Sequence, residues 1–233
     1  MFQDKQIVDI RDQILSANRW IVEKNLIELT WGNVSLYNRE QGLVCIKPSG
    51  IDLNQASTED ISCIRMDGTR VSGLKPSVDT PTHIRIYENF ESVSSVVHTH
   101  SKYATIFAQA GMSIPCLGTT HADYFYGTVP CIPHPCESQI QQDYESNTGK
   151  VICDYFHENN IDPTQVQACL VGGHAPFVWG KDVKSALENA YVLEIVAEFA
   201  FKTLQLNPSA SLSDSILDKH FLRKHGNSKY YGQ

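Results

Sequence analysis

Two histidines one residue apart, His98 and His100, close the apolar run Val96-Val97-His98-Thr99-His100. In an extended strand alternate side chains share a face, so both imidazoles point the same way. Such a pair suits a transition metal, although a surface His-x-His that binds nothing has the same pattern. His174 follows a second apolar run, in Leu170-Val171-Gly172-Gly173-His174, where the paired glycines let the backbone turn sharply and pass close to a neighbour. Of the nine histidines these three lie at strand ends, and three imidazoles that leave one position open are the donor set of a catalytic zinc site. Asp79 is placed either to complete that set or simply to cap the helix that follows it.

A second group has the makings of a phosphate site. Lys-Pro-Ser occurs twice, in Lys47-Pro48-Ser49-Gly50 and in Lys75-Pro76-Ser77-Val78. Each copy offers an ammonium, a hydroxyl and loop N–H groups to an oxyanion, though each can also be an ordinary turn. Gly32-Asn33 adds a tight turn and an amide. Asp123, in Gly118-Thr119-Thr120-His121-Ala122-Asp123-Tyr124, stands in an uncharged stretch where a carboxylate could have a raised pKa and act as acid or base, or be a plain turn residue. Lys219, His220, Arg223, Lys224, His225 and Lys229 form a basic cluster near the C-terminus, with His220 and Arg223 on one helical face. Cations at a helix end favour its dipole without further purpose, but Tyr230-Tyr231 just beyond them suggest a tail that docks on something.

The elements that must position these residues follow from periodicity. Ile7, Ile10, Ile14, Ala17 and Ile21 predict an amphipathic helix over 4–24. Residues 29–37 and 43–46 predict a hairpin around Arg39-Glu40-Gln41-Gly42, with further strands at 61–65 and near Val71. Thr80-Pro81 reads as an N-cap and first-turn proline of a helix ending near Phe90. Residues 94–98 form the histidine strand and 102–110 a helix stopped by Gly111. A loop-like stretch with short strands covers 114–135, followed by a helix at 147–159 and strands at 166–171 and 177–179. Helices at 183–206 and 213–225 complete the chain, the first stopped by Asn207-Pro208. Hairpin-linked strands predict one α/β domain with a largely antiparallel or mixed sheet and helices on its faces. The absence of G-x-G-x-x-G after the first strand argues against a dinucleotide fold.

Composition narrows the classes. The 233 residues carry a formal net charge of -7, which argues against a nucleic-acid partner. No apolar run approaches membrane-spanning length and the first residues do not read as a signal peptide. Seven cysteines without Cys-x-x-Cys do not read as a disulfide framework, so a reduced, cytoplasmic setting is expected.

From Leu26 to Gln233 the chain resembles the L-ribulose-5-phosphate 4-epimerases of the class II aldolase/adducin-like group. The blocks that carry the resemblance are Thr30-Trp31-Gly32-Asn33-Val34-Ser35, Ile46-Lys47-Pro48-Ser49-Gly50, Asp79-Thr80-Pro81-Thr82-His83 and Val97-His98-Thr99-His100-Ser101. They continue through Gly118 to Gly127, His174 to Lys181 and Lys219 to Gly226, and close with Tyr230-Tyr231-Gly232-Gln233. The resemblance implies one three-layer α/β/α domain over 1–233 with a largely antiparallel central sheet. It implies Zn2+, with Mn2+ or Co2+ as substitutes, held by Asp79, His98, His100 and His174. A pentulose phosphate would be held by Gly32, Asn33, Ser49, Gly50, Ser77 and Val78, with Lys47 nearby. Asp123 and Tyr231 would be the acid/base groups, Tyr231 reaching in from a neighbouring subunit of a homotetramer. His220 and Arg223 would lie near the same interface, where they could help hold the phosphate end or the tail.

Two residues depart from the family pattern: Val78 stands where a second serine is usual, and Gly172-Gly173 replace bulkier or polar residues. The implied reaction is interconversion of L-ribulose 5-phosphate and D-xylulose 5-phosphate in L-arabinose catabolism. Alternatives are the same reaction in L-ascorbate catabolism and a class II sugar-phosphate aldolase, whose branch typically has Glu in place of Asp79. A non-catalytic adducin-like role would be marked by loss of the metal ligands, which this chain retains.

Overall fold

Ile14, Ala17 and Ile21 fall on one side of a first helix, α1 (Phe2–Glu23), and are buried there, as their spacing requires. A computed structural model of the chain describes residues 2–226 and 229–230, with side chains from residue 9 onward. The hairpin follows as β1 (Asn33–Asn38) and β2 (Leu43–Ile46), paired from Ser35 opposite Ile46 to Asn38 opposite Leu43. Residues 29–32 do not join β1 as expected. Leu29 (φ 51°) and Gly32 (φ 90°) lie in the left-handed region, which no ladder accepts, so the segment is a turn.

After a 3-10 turn at Thr58–Asp60 come β3 (Ser62–Arg65), β4 (Arg70–Ser72), α2 (Thr80–Asn89), β5 (Ser95–His98) and α3 (Lys102–Gln109). Then follow α4 (Thr119–Ala122), β6 (Cys131–Ile132), α5 (Glu137–Glu158), β7 (Ala168–Val171), β8 (Pro176–Gly180), α6 (Val183–Leu206) and α7 (Asp214–His225). The strands form one sheet in the order β4-β3-β2-β1-β5-β8-β7-β6, in which only β6 and β7 run parallel. The chain is therefore α/β with a largely antiparallel central sheet.

Helices cover both faces. In β8, Phe177 and Trp179 are two apart and share a face, on which Trp179 meets Phe90 after α2 and Phe156 of α5. The opposite face receives α6, whose Asp182 cap accepts from the Ser185 N–H at 2.7 Å and which packs on β5, β7 and β8 beside α1 and α3. His98, stacked on Phe177 with ring centroids 4.2 Å apart, lies on the α2–α5 side of the sheet.

Two local expectations change. The helix expected from 147 begins at Glu137, ten residues earlier, and is interrupted at Asp143 (φ -158°, ψ 84°). Only its second part is apolar enough to show in the sequence. Cys45 and Cys63 face each other across β2 and β3 and are joined as a disulfide, while the five other cysteines are free. A separation of 18 residues gives no hint of that pairing until the strand register is known. No helix of the described residues is long and apolar enough to cross a membrane.

Candidate active site

β5 delivers His98 at its last residue and His100 two positions later, while the turn between β7 and β8 delivers His174. That turn is tight: Gly173 is left-handed (φ 71°) and the His174 N–H returns to the Val171 carbonyl at 2.9 Å. The three imidazoles meet. Their ligand atoms lie within 4.8 Å of one another, and the ring centroids are 4.9–5.2 Å apart.

The surroundings prepare these rings for a cation. The Pro176 carbonyl lies 2.9 Å from His98 Nδ1, which fixes a proton there and leaves Nε2 as the ligand atom. Burial, then the neighbouring His98, lowers His100 to about 4, with Asp79 opposing. Burial likewise lowers His174 to about 4, helped by His98 and His100 and opposed by Asp79. Both rings are thus neutral donors at neutral pH, the form that binds metal. Together with the His98 hydrogen bond, this donor set fits a divalent transition metal.

Asp79 occupies the cap position of α2, yet its side chain makes no cap hydrogen bond. Thr80, the expected cap, is already the first helical residue. The Asp79 carboxylate turns instead to Asn33, whose Nδ2 donates to Oδ2 at 2.7 Å, and to the Ser77 hydroxyl at 3.2 Å. It stands beside the histidines without joining their 4.8 Å cluster. Burial works against its charge, but His98, His83 and the Asn33 amide outweigh burial and hold its pKa below the usual carboxylate value.

The two Lys-Pro-Ser turns pair with each other. Pro48 and Pro76 form an isolated antiparallel bridge, the Ser49 N–H donates to the Lys75 carbonyl, and the Ser77 N–H donates to the Lys47 carbonyl, both at 3.1 Å. The N–H groups of Gly50 and Val78, next in each turn, have no backbone partner among the described residues. Lys47 is 2% exposed, and its ammonium donates to the Thr30 carbonyl at 3.1 Å. Burial lowers its pKa, with Asp79 pulling the other way. Asn33 has committed its amide protons to Asp79 and Ser77 (3.0 Å), leaving Oδ1 buried and without a partner. The turns therefore leave backbone N–H groups that suit an anion, while Asn33 Oδ1 is fully buried.

One cavity of about 400 Å³ joins these parts. Gly32, Asn33, Lys47, Ser49, Gly50, Ser77, Val78, Asp79, His98, His100 and His174 all line it, as do Trp31, Tyr144 and Glu145. Tyr144, whose hydroxyl approaches His174 Nδ1 at 3.5 Å, and Glu145 escaped the sequence reading because both sit just past the break in α5. The polar run from Glu137 with Gln139 bonded back to the Cys136 N–H was the available signal. His83 was also missed as a separate element: it is fully buried, bonded through Nδ1 to the Ser35 hydroxyl at 2.7 Å, with Nε2 unpartnered.

The family described as Class II Aldolase and Adducin N-terminal domain matches residues 12–201. The chain belongs to that family. L-ribulose-5-phosphate 4-epimerase UlaF of Salmonella paratyphi C is 46% identical over 226 residues, covering 96% of this chain and 98% of the relative. A protein of the same description from Salmonella typhi matches equally well. Among solved structures, an L-fuculose 1-phosphate aldolase superposes with a TM-score of 0.76 at 20% identity, covering 91% of this chain and 94% of the other. YgbL of Escherichia coli gives 0.73 at 23%, covering 91% and 98%. These structural likenesses speak for the class II aldolase fold.

Within this member of the class II aldolase and adducin family the remaining expected residues gather elsewhere. Asp123, just after α4, receives α7. Arg223 Nη2 donates to both carboxylate oxygens at 3.0 and 3.1 Å, His220 Nδ1 lies 3.1 Å from Oδ1, and His225 Nε2 lies 2.9 Å from the Asp123 carbonyl. The expected uncharged neighbourhood of Asp123 is therefore corrected: its partners arrive from a helix about a hundred residues later. None of Asp123, His220 and Arg223 lines the cavity of its own chain. Tyr231 lies outside the described residues.

Proposed function

We propose that the chain is an isomerase, a metal-dependent 4-epimerase interconverting L-ribulose 5-phosphate and D-xylulose 5-phosphate. The observation that carries this reading is the 46% identity, over nearly the full length of both chains, to L-ribulose-5-phosphate 4-epimerase UlaF. The cavity supports it by opposing a metal-type histidine trio to a pair of anion-ready turns.

Inversion at C4 sets the chemistry. The C4 hydrogen is not adjacent to the C2 carbonyl, so removing it yields no stabilised anion. Breaking the C3–C4 bond does, leaving an enediolate and an aldehyde whose re-addition through the other face inverts C4. His98, His100, His174 and Asp79 would hold a divalent ion, zinc in the first place and manganese or cobalt as substitutes, which would supply Lewis acidity toward the developing negative charge. The Gly50 and Val78 N–H groups, with Lys47 behind them, hold the phosphate so that the aldehyde can turn without leaving. The Asn33 amide keeps Asp79 oriented.

Protons must move at the C4 oxygen on both faces of the aldehyde. We assign these transfers to Asp123 and Tyr231. Because Asp123 stands away from its own cavity with His220 and Arg223 fixing its carboxylate, a neighbouring copy is the natural recipient. The tail over 226–233, which carries Tyr231, would cross with it, in a homotetramer working in the cytoplasm. Metal analysis coupled to conversion of L-ribulose 5-phosphate, before and after chelation, tests the reading. Loss of turnover on chelation and recovery with zinc are expected; undiminished turnover in metal-free protein would defeat it. The same reaction serves L-arabinose and L-ascorbate catabolism; we assign the former, and growth of a deletion strain on each sugar separates them.

A further inference from the structure

At the mouth of the cavity stands a side chain that the chemistry above does not use. Trp31 lines the cavity yet is 53% exposed, with its ring centroid 6.3 Å from that of His100. A tryptophan left half in water forfeits the burial that usually accounts for its presence, so its place at this rim asks for another reason. Its backbone is held firmly. Leu29 and Gly32 on either side are left-handed, the Trp31 N–H closes a turn on the Glu28 carbonyl at 3.1 Å, and the neighbouring Thr30 carbonyl receives the buried Lys47 ammonium. The same lysine thus stands behind the anion-binding turns and anchors the loop that presents the indole.

We propose that Trp31 is the retaining wall of the site, keeping the aldehyde fragment in the cavity between cleavage and re-addition. The proposal rests on the epimerase reading. After the C3–C4 bond breaks, its electron pair resides in the enediolate and the C4 hydroxyl proton has left as the aldehyde forms. Re-addition returns both to a pentulose phosphate. Escape instead lets C3 take up a proton and releases dihydroxyacetone and glycolaldehyde phosphate. A flat apolar face suits such a wall, because it blocks the exit while offering no hydrogen bond that would stop the aldehyde from turning. The indole therefore limits how often a turnover ends in release rather than re-addition, alongside the turns that hold the phosphate.

The test uses full-length zinc-loaded protein and its Trp31→Ser and Trp31→Phe variants, with L-ribulose 5-phosphate as substrate. Released dihydroxyacetone is measured against D-xylulose 5-phosphate formed. Release per epimerisation should rise about tenfold in Trp31→Ser, the scale on which one apolar pocket contact discriminates, with Trp31→Phe between it and wild type. An unchanged ratio in both variants overturns the proposal, as does an altered subunit assembly with an unchanged ratio, which would make the indole a subunit contact. If Trp31→Ser fails to fold, Trp31→Phe decides alone. Wild-type protein that forms no D-xylulose 5-phosphate removes the epimerase reading itself and the proposal with it.

Discussion

Replacing Gly32 by alanine probes how the turn before β1 seats the metal-type ligands. A Cβ there would lie 2.7 Å from the His98 carbonyl oxygen, 2.7 Å from Ile27 Cγ2 and 3.2 Å from Thr99 Cα. The Ile27 methyl can rotate away; the two backbone atoms cannot, and they sit between His98 and His100. The left-handed φ of 90° adds about 1–2 kcal/mol of backbone strain, and the crowding about 1–3 kcal/mol more. Gly42 in the β1–β2 turn separates the two contributions, because it is also left-handed (φ 62°) but its Cβ would meet nothing within 4 Å. For a chain of this length each kcal/mol moves Tm by about 2–4 °C. Thermal denaturation should therefore show Gly32→Ala below Gly42→Ala by roughly 2–12 °C, the crowding contribution alone. Gly32→Ala should also lose bound zinc faster to a chelator. Equal melting temperatures and equal zinc retention would refute the idea that this turn braces the ligands.

Other expectations follow from the same geometry. Asp123→Asn and Tyr231→Phe should each lower turnover by roughly 10²–10⁴-fold with zinc content unchanged, and full activity in both would remove their assignment as proton carriers. If Asp123 acts in a neighbouring subunit, mixing inactive Asp123→Asn with inactive His98→Asn chains should restore part of the activity through hybrid sites; no recovery on subunit exchange would place the whole site in one chain. The pH dependence of the chelated protein has a definite sign. Burial lowers His83 to about 3 and His121 to about 4, so between pH 6.5 and those values the unfolded chain takes up protons that the folded chain refuses. Stability should fall by roughly 2 kcal/mol per histidine by pH 5, read as a lower Tm than at pH 7; a flat profile would contradict it.

What could be read in the sequence was what local pattern dictates. Helix α6 stands at Val183–Leu206 as its apolar period predicts, and the His98 and His100 rings meet with centroids 5.1 Å apart as their spacing predicts, although His100 lies two residues past the end of β5. Of the two Lys-Pro-Ser copies, Lys47, Ser49 and Ser77 line the cavity, while Lys75 does not. What escaped depends on distant partners or on broken periodicity. The charge around Asp123 comes from α7, the Cys45–Cys63 bond depends on strand register, and Tyr144 and Glu145 lie beside a break that hides the start of α5. Asp79 shows the limit most clearly. Its position before α2 is that of a cap, yet Asn33, 46 residues earlier, claims its carboxylate.

The most direct test of reversible carbon–carbon cleavage is to run the epimerisation in D2O and examine C4 of the D-xylulose 5-phosphate formed. C4 should retain its original hydrogen through inversion, with no deuterium. Deuterium at C4 in step with turnover would mean that the C–H bond breaks instead, and the account would fall.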